Sequence, residues 1–284
     1  MRTALLVITL FLTVQLPAQR RVGFAYYDVD GLYDTQPSPF YDDSDYTPQG
    51  RLHWDNERYE LRTAKVAAVI DSISMPVVAL FGVENEQVVR DIVSKCRGDY
   101  CYIHRTLNRL DGLDFALLYY GDVLFPKRVN TGYDYMTVEA AIGDREYAIV
   151  LTRRSRFTGD VVAELQAEQP DRFIIVAGDL YRIDYRRFGL DEATARAERA
   201  GRGNAMFRRG WTMADRILVD RRLDTRCDVY ARRWLLDSRG APSAVYNRNS
   251  YTGGYGRRLP IFCYICRTLN RLDGLDFALL YYGD

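Results

Sequence analysis

The sequence predicts an α+β fold in which two β-sheets pack as a sandwich with helices on the outside. The most informative stretch is residues 173–177, Phe-Ile-Ile-Val-Ala, an uninterrupted apolar run typical of a strand buried on both faces. Similar strands alternate with helical stretches along most of the chain. Apolar residues make up 48% of the sequence, which is enough for a substantial core and excludes a disordered protein.

Hydrophobic periodicity defines the individual elements. Strands are predicted at residues 22–29, 76–81, 115–120, 147–151, 173–177 and 229–236, and helices at residues 58–73, 86–95, 161–167 and 191–200. The segment 34–55 is polar, contains three prolines and is predicted to be a loop. A final strand is expected from Leu259 to about Ile265.

The N-terminus has the pattern of a secretion signal. Arg2 supplies the positive charge, residues 4–16 form an apolar run, and Pro17-Ala18-Gln19 is the expected cleavage region. The run is short for a bilayer span, and no other stretch is apolar enough to cross a membrane. We therefore expect residues 1–18 to be removed and the mature protein to be secreted or periplasmic.

Five cysteines are present, which is an odd number, and export permits disulfides. Cys96 and Cys101 flank a four-residue turn, so they are the expected local pair. Cys263 and Cys266 have the spacing of a redox motif, but no helix start follows them to lower a thiol pKa. A redox role is therefore not favoured.

The net charge of +1 gives no global attraction to nucleic acid. The charge is uneven, because residues 1–142 carry 14 basic and 19 acidic side chains, whereas residues 143–284 carry 25 and 19. Nearly all the positive charge is arginine, whose guanidinium suits phosphate contacts. A GC-rich genome gives the same bias without any function, so both explanations stay open.

Six segments, in order, carry a family resemblance. They are Tyr-Asp-Val-Asp-Gly-Leu-Tyr-Asp at residues 27–34, Ala-Leu-Phe-Gly-Val-Glu-Asn at 79–85, Gly-Leu-Asp-Phe-Ala-Leu-Leu-Tyr at 112–119, the buried strand with its Gly-Asp at 173–179, Trp-Thr-Met-Ala-Asp-Arg-Ile at 211–217, and Gly-Gly-Tyr-Gly-Arg-Arg-Leu-Pro at 253–260. Residues 22–262 resemble the endonuclease/exonuclease/phosphatase superfamily, the fold of pancreatic deoxyribonuclease, and in particular its exported bacterial members. The resemblance implies a four-layer α/β/β/α sandwich, with the domain over residues 19–262.

Members of this superfamily hydrolyse phosphomonoesters or phosphodiesters with a divalent metal, usually Mg²⁺. The resemblance places Asp179 and Asp215 at catalytic positions, and it places Asp28 beside Asp179 as a pair of weak metal ligands. The family's main metal carboxylate falls on Gly82, which offers no ligand atom. Glu84, two residues further on, is the alternative ligand of a shifted metal site.

Other substitutions also remove chemistry. The family's Asp-His pair near the end of the domain falls on Arg257 and Arg258, and arginine cannot accept a proton from water. Its phosphate-binding His falls on Thr152, while the Ser and Arg that follow remain as Ser155 and Arg156. Arg156, Arg257 and Arg258 are therefore the expected phosphate-binding residues, and Mg²⁺ is a doubtful cofactor.

Three functions stay open on this evidence. The first is a degenerate, non-catalytic family member that binds nucleic acid, another phosphorylated ligand or a partner. The second is a weakly active Mg²⁺-dependent nuclease, phosphodiesterase or phosphatase with a rearranged site, and the third is a structural exported domain. His104 matches neither catalytic His position and is expected to be structural. The oligomeric state stays open.

Residues 263–284 repeat residues 101–122 with one change, Cys266 in place of His104. Because the family domain ends near residue 262, the second copy is expected to be a surplus tail. Both copies carry the strand Phe-Ala-Leu-Leu-Tyr-Tyr, and the first copy should take its place in the sheet because loop closure there costs less entropy. Deleting residues 267–284 is expected to leave the fold intact and to lower self-association.

Overall fold

The computed structural model describes residues 22–107, 109–180 and 183–267. Its strands are β1 (Val22–Leu32), β2 (Val77–Val83), β3 (Tyr100–Arg105), β4 (Asp114–Tyr120), β5 (Leu124–Gly132), β6 (Tyr135–Ile142), β7 (Arg145–Arg153), β8 (Phe173–Asp179), β9 (Leu190–Glu192), β10 (Ala205–Phe207), β11 (Gly210–Thr212), β12 (Arg216–Asp220), β13 (Leu223–Val229), β14 (Tyr246–Asn247), β15 (Ser250–Tyr251) and β16 (Ile261–Arg267). Its α-helices are α1 (Asn56–Ile73), α2 (Glu86–Lys95), α3 (Thr158–Glu168) and α4 (Ala195–Arg199).

Twelve of these strands form two mixed six-stranded sheets. The first has the order β13-β16-β1-β2-β4-β3, and the second has the order β5-β6-β7-β8-β12-β9. Each sheet contains one parallel pair, β1–β2 and β7–β8, and the helices α1 and α3 are the crossovers that parallel pairing requires. In each sheet the two parallel strands therefore end at the same edge, where side chains can be collected into a site.

The apolar side chains explain how the layers are held together. One continuous buried cluster combines strands of both sheets, for example Tyr26 of β1 with Ile175 of β8, and it includes the inward faces of α1 and α2. A second cluster joins α3 to the outer face of the second sheet, where Leu165 packs with Val150 and Val176. The predicted two-sheet sandwich flanked by helices is confirmed.

Two predicted elements differ from the structure. Residues 190–192 form the edge strand β9 against β12, so the helix predicted at 191–200 is reduced to α4. Backbone pairing along an exposed strand edge outweighs helix propensity there. The strand predicted at 229–236 ends at Val229, and a short 3-10 turn at Arg233–Leu235 buries Leu235 instead.

The last strand extends the domain beyond the predicted boundary. β16 runs to Arg267 between β13 and β1, so the fold continues past residue 262, where the sequence placed the start of the surplus tail. The rest of that tail, residues 268–284, and the predicted secretion signal lie outside the described residues. In the part of the chain that the structure describes, no helix is both long and apolar enough to cross a bilayer.

The predicted Cys96–Cys101 disulfide is wrong, and a different pair is bonded. Cys227 of β13 and Cys263 of β16 are direct cross-strand neighbours and form a disulfide. The thiol of Cys96 points back into its own helix, where Sγ donates to the carbonyl oxygen of Ile92 at 3.4 Å, and burial raises its pKa to about 12. Cys101 lies exposed on the edge strand β3. The bond therefore follows sheet register rather than closeness in sequence.

We expect replacement of Cys227 and Cys263 by alanine to lower the free energy of unfolding by roughly 3 to 4 kcal/mol, because the bridge closes a 36-residue separation. Urea denaturation with and without a reductant measures this, and the reductant should shift the midpoint of the native chain only. Cys101→Ala is the control and should behave as the native chain does. Equal midpoints for the native chain in both conditions would contradict the assignment.

Candidate functional site

Three carboxylates meet at one edge of the sandwich, and they come from both sheets. Asp28 lies near the end of β1, Asp179 ends β8, and Asp215 directly precedes β12, which runs antiparallel to β8. Asp28 and Asp215 are almost fully buried, at 5% and 1% exposure. The structure thus brings together all three acidic residues that the family resemblance assigned to the site.

The side chain of Arg258 contacts all three carboxylates. Its Nη1 donates to Oδ1 of Asp215 at 2.6 Å, and its Nε and Nη2 lie 3.4 Å and 3.6 Å from Oδ2 of Asp28 and of Asp179. The Arg258 side chain is itself only 18% exposed. A single guanidinium therefore occupies the centre of the carboxylate cluster.

A second guanidinium enters the cluster from β7. Nη1 of Arg153 lies 3.0 Å from Oδ2 of Asp179 and 3.6 Å from Oδ2 of Asp28. The other side of the guanidinium faces the ring of Phe81 at 5.0 Å, a cation–π contact that fixes its position. No motif position of the family marks Arg153, so the resemblance assigned it no role; the sequence indicated it only as one of several arginines that could line a cleft for an anion.

The close approach of β7 and β8 explains how Arg153 comes to lie beside Asp179. These two residues are register partners of the parallel pair. The preceding partners are Thr152 and Gly178, and a Cβ on Gly178 would lie 1.9 Å from the Thr152 carbonyl oxygen. Only glycine fits there, so Gly178 permits the contact between the two charged neighbours.

Buried Asn204 is a further site residue that the sequence did not reveal. Its Nδ2 donates to Oδ2 of Asp215 at 2.7 Å, while its Oδ1 accepts from the backbone N–H of Ala214 at 2.8 Å. Its backbone carbonyl accepts from the N–H of Leu259 at 2.7 Å, next to Arg258. One asparagine therefore positions both members of the Asp215–Arg258 pair.

Burial controls the protonation of the cluster. Burial and, after it, the nearby charge of Asp215 raise the pKa of Asp28 to about 7, against the opposing effects of Arg258 and Arg153. Burial also raises the pKa of Asp215, against the effect of Arg258. For Arg258, burial lowers the pKa, but Asp215 and Asp28 outweigh that effect and hold it above its usual range.

The residues present do not fit a Mg²⁺ site. Oδ2 of Asp28 and Oδ2 of Asp179 each contact the guanidinium groups of Arg153 and Arg258, which supply the compensating positive charge. Gly82 has φ +91°, and a Cβ on it would lie 3.1 Å from the Gly31 nitrogen, so a carboxylate at this position would strain the backbone. Among the described residues, no group of three His, Cys, Asp or Glu side chains is arranged to hold a metal.

Glu84, the alternative metal ligand, faces a different part of the molecule. Its carboxylate accepts from the backbone N–H of Asp34 at 2.6 Å and from the hydroxyl of Tyr41 at 2.9 Å. It is buried, and burial raises its pKa to about 7. Glu84 thus anchors the loop after β1 rather than joining the cluster.

The three predicted phosphate-binding arginines do not converge. Arg258 is buried in the carboxylate cluster, whereas Arg257 is 74% exposed and pairs with Asp30 at 3.0 Å. Arg156 covers the ring of Phe157, at the mouth of a separate cavity of about 500 Å³ that Arg154 also lines. A phosphate contact by Arg156 or Arg257 stays a prediction.

The charges of the site balance. Four aspartates pair with four arginines, and these are Asp28, Asp30, Asp179 and Asp215 with Arg153, Arg154, Arg257 and Arg258. His104 lies elsewhere, in a buried pair with Asp114 at 3.1 Å, which agrees with its predicted structural role. The ion-pair network as a whole therefore has no surplus charge when all four aspartates are ionised.

We expect the stability of the fold to depend on the protonation of Asp28. Because its folded pKa is about 7 and its ordinary value is 3.8, the protonated form contributes stability that is complete below pH 3.8 and is lost as the pH rises through about 7. The difference in stability between Asp28→Asn and the native chain should therefore be more favourable to the variant at pH 8 than at pH 4. Urea midpoints at both pH values measure this, with exposed Asp144→Asn as the control, and a constant difference would contradict it.

Comparison with known proteins agrees with this architecture. Residues 23–152 match the sequence model of the Endonuclease/Exonuclease/phosphatase family. No curated protein matches the sequence.

Solved structures share the fold at low sequence identity. Truncated TDP2 of Caenorhabditis elegans superposes with a TM-score of 0.58 at 14% identity, over 87% of this chain and 98% of that chain. The endonuclease/exonuclease/phosphatase from Bacteroides vulgatus gives 0.58 at 13% identity, over 88% and 100%. TDP2 of D. rerio in complex with single strand DNA product gives 0.55 at 10% identity, over 86% and 98%. Residues 23–152 are thus similar to the endonuclease/exonuclease/phosphatase family, and the chain shares the fold of these solved structures.

Proposed function

We propose that this chain is an exported, non-catalytic member of its family that binds a phosphate-rich ligand. The observation that carries the proposal is the contact of one guanidinium, that of Arg258, with Asp28, Asp179 and Asp215 together. Export rests on the N-terminal sequence pattern alone. Ligand binding rests on the arginine-rich second half of the chain and on the family relationship.

The argument against catalysis is chemical. Metal-assisted phosphoester hydrolysis needs oxygen ligands for the cation and a base for the attacking water. The carboxylates that could serve are held in ion pairs, and a guanidinium cannot accept the proton. Freeing one buried carboxylate from its partner costs about 3 to 5 kcal/mol, a cost that would be added to the reaction barrier.

A weakly active enzyme is the second candidate, and one observation favours it. Asp28, Asp179 and Asp215 still converge at a strand edge of a phosphoesterase fold, which is more than a purely structural domain needs. In that case Asp179 and Asp215 would be the surviving catalytic groups. Activity assays separate the two candidates directly.

Hydrolysis is expected to be absent. The assay uses plasmid, labelled oligonucleotide and p-nitrophenyl phosphate with Mg²⁺, Mn²⁺ or EDTA, on the mature protein, whose N-terminal residue is read first and should be Gln19. The native chain should match the Asp179→Ala variant in every condition, because a rearranged site would lose its turnover on that change. Metal-dependent turnover that Asp179→Ala abolishes would establish the weakly active enzyme instead.

Arg258→Ala should destabilise the fold by about 3 to 5 kcal/mol, because it leaves buried carboxylates without a counter-charge. Millimolar Mg²⁺ should restore part of this loss in the variant and should not change the native chain. Arg257→Ala is the matched control: the Arg257 side chain is mostly exposed, so its loss should cost about 0 to 1 kcal/mol. Denaturation curves with Mg²⁺ or EDTA measure both, and an Arg258→Ala variant as stable as the native chain would contradict the role given to Arg258.

A further inference from the structure

The first sheet ends on one side at β3, and this edge is built differently from the other sheet edges that the structure describes. β5 contains Pro126, Lys127 and a register shift, β9 has only three residues, and α4 lies against β13. Such features prevent one strand edge from pairing with another. β3, in contrast, is a regular run of six residues that pair one for one with β4, and it contains neither proline nor lysine.

The backbone groups on the outer side of β3 can be identified. The N–H of Tyr100 donates to the carbonyl of Gly98 in the preceding turn, and the carbonyl of His104 accepts from the guanidinium of Arg105 at 2.8 Å. Both groups therefore point away from β4, and because this direction alternates along a strand, the N–H and carbonyl of Tyr102 point outward too. Among the described residues, no group outside the β3–β4 ladder bonds to the main chain of Tyr102. The outer side of β3 can therefore accept a further strand.

The sequence contains a second copy of the strand that pairs with β3. Residues 276–282, Asp-Phe-Ala-Leu-Leu-Tyr-Tyr, are identical to β4, which is antiparallel to β3. The place between β2 and β3 is already filled by β4 itself, so it is closed to the second copy. The outer side of β3 is the position left for a strand of this sequence.

Strand direction decides which chain supplies the second copy. β1, β2 and β3 run in one direction and β16 runs in the other, so Arg267 lies at the end of the sheet where β3 begins. A strand antiparallel to β3 must start at the opposite end. That start lies five strand spacings from β16 and six residues along the sheet. The direct distance is about 31 Å, at about 4.8 Å per strand and 3.3 Å per residue.

The tail of a chain is too short to reach its own β3 in this direction. The nine residue steps from Arg267 to Asp276 span at most about 32 Å when fully extended. The direct line runs within the sheet itself, so any path around the molecule is longer than that. A second copy of the chain is under no such constraint.

We propose that the open edge of β3 binds residues 276–282 of a second copy of this chain in the antiparallel direction. The register that repeats the native ladder places Cys101 opposite Tyr281 and Ile103 opposite Leu279. An edge of one chain contacts the tail of another, so the contact either closes reciprocally as a dimer or continues from copy to copy. The interface uses no residue of the carboxylate cluster and does not depend on the proposed function.

Sedimentation velocity of the mature chain over a concentration series tests the proposal. The native chain should associate, whereas a chain that ends at Arg267 should stay monomeric because it has the edge but not the added strand. Cys101→Lys should weaken association at least about tenfold, because lysine on an edge strand opposes pairing. Phe125→Lys, on the edge strand β5, is the matched control and should associate as the native chain does.

A mixture of the two impaired variants separates the roles of edge and tail. The chain that ends at Arg267 offers a native edge, and the Cys101→Lys chain offers a native tail. Together they should form a 1:1 complex that neither forms alone.

Cross-linking checks the register. In the proposed pairing, Tyr281→Cys should form a disulfide with Cys101 between two chains, since Cys227 and Cys263 already bond from directly opposite positions on antiparallel strands. Leu280→Cys is the control, because its side chain lies on the other face of the same strand. Non-reducing electrophoresis detects the product, and adding Cys101→Ala to Tyr281→Cys should abolish it.

Four outcomes would overturn the proposal, once thermal denaturation has shown that each variant is folded. A native chain that is monomeric at every concentration has no such interface, and a truncated chain that associates as the native chain does has its interface elsewhere. A mixture of the impaired variants that forms no complex contradicts the pairing of edge with tail. A Tyr281→Cys disulfide within a single chain shows that the tail reaches its own β3 and excludes the second copy.

Discussion

The contact of Arg258 with three carboxylates is the interaction on which the rest of the site depends. Asp28 belongs to the first sheet, Asp179 ends a strand of the second, and Asp215 directly precedes β12 of the second, so one side chain joins the two sheets at an open edge. Three buried carboxylates without a counter-ion would repel one another and oppose packing of the sheets. Arg153 and Asn204 complete this network from neighbouring elements. The charge that a divalent cation would supply is built into the chain.

This arrangement separates two properties that a phosphoesterase combines. Over the whole ion-pair network, four aspartates and four arginines contact one another, which leaves little net charge to attract a phosphate. At the rim of the site, the hairpin of β10 and β11 exposes two arginines, Arg208 and Arg209, and the aromatic ring of Phe207. Under the proposed function, such a chain binds its ligand without hydrolysing it. The same fold accommodates proteins with and without catalysis, because the sequences of the loops at the strand edges vary independently of the sandwich.

The fold was predictable because its signals are local, whereas the site needed long-range information. Uninterrupted apolar runs identify strands such as β8, and the residues after strand ends identify the Asp28–Asp179 pairing. The contact between Arg153 and Asp28 depends instead on the register of β7 against β8, which places Arg153 beside Asp179. No spacing in the sequence reveals this register. The positive φ of Gly82 is likewise a property of its neighbours in space. Cys227 and Cys263 could be paired only once β13 and β16 were known to be adjacent.

The repeated sequence gives the disulfide a further consequence. Residues 101–105 and 263–267 differ at one position, yet the first copy forms the edge strand β3 and the second forms β16 between two neighbours. If the first copy took the place of β16 during folding, Cys101 would stand opposite Cys227 and could form the same bond as Cys263. Oxidation therefore cannot distinguish the two arrangements. In an oxidising environment, recovery of the native arrangement from such a trapped chain requires thiol–disulfide exchange, in which the Cys263 thiolate attacks the Cys101–Cys227 bond at Cys227 and Cys101 leaves as the free thiolate.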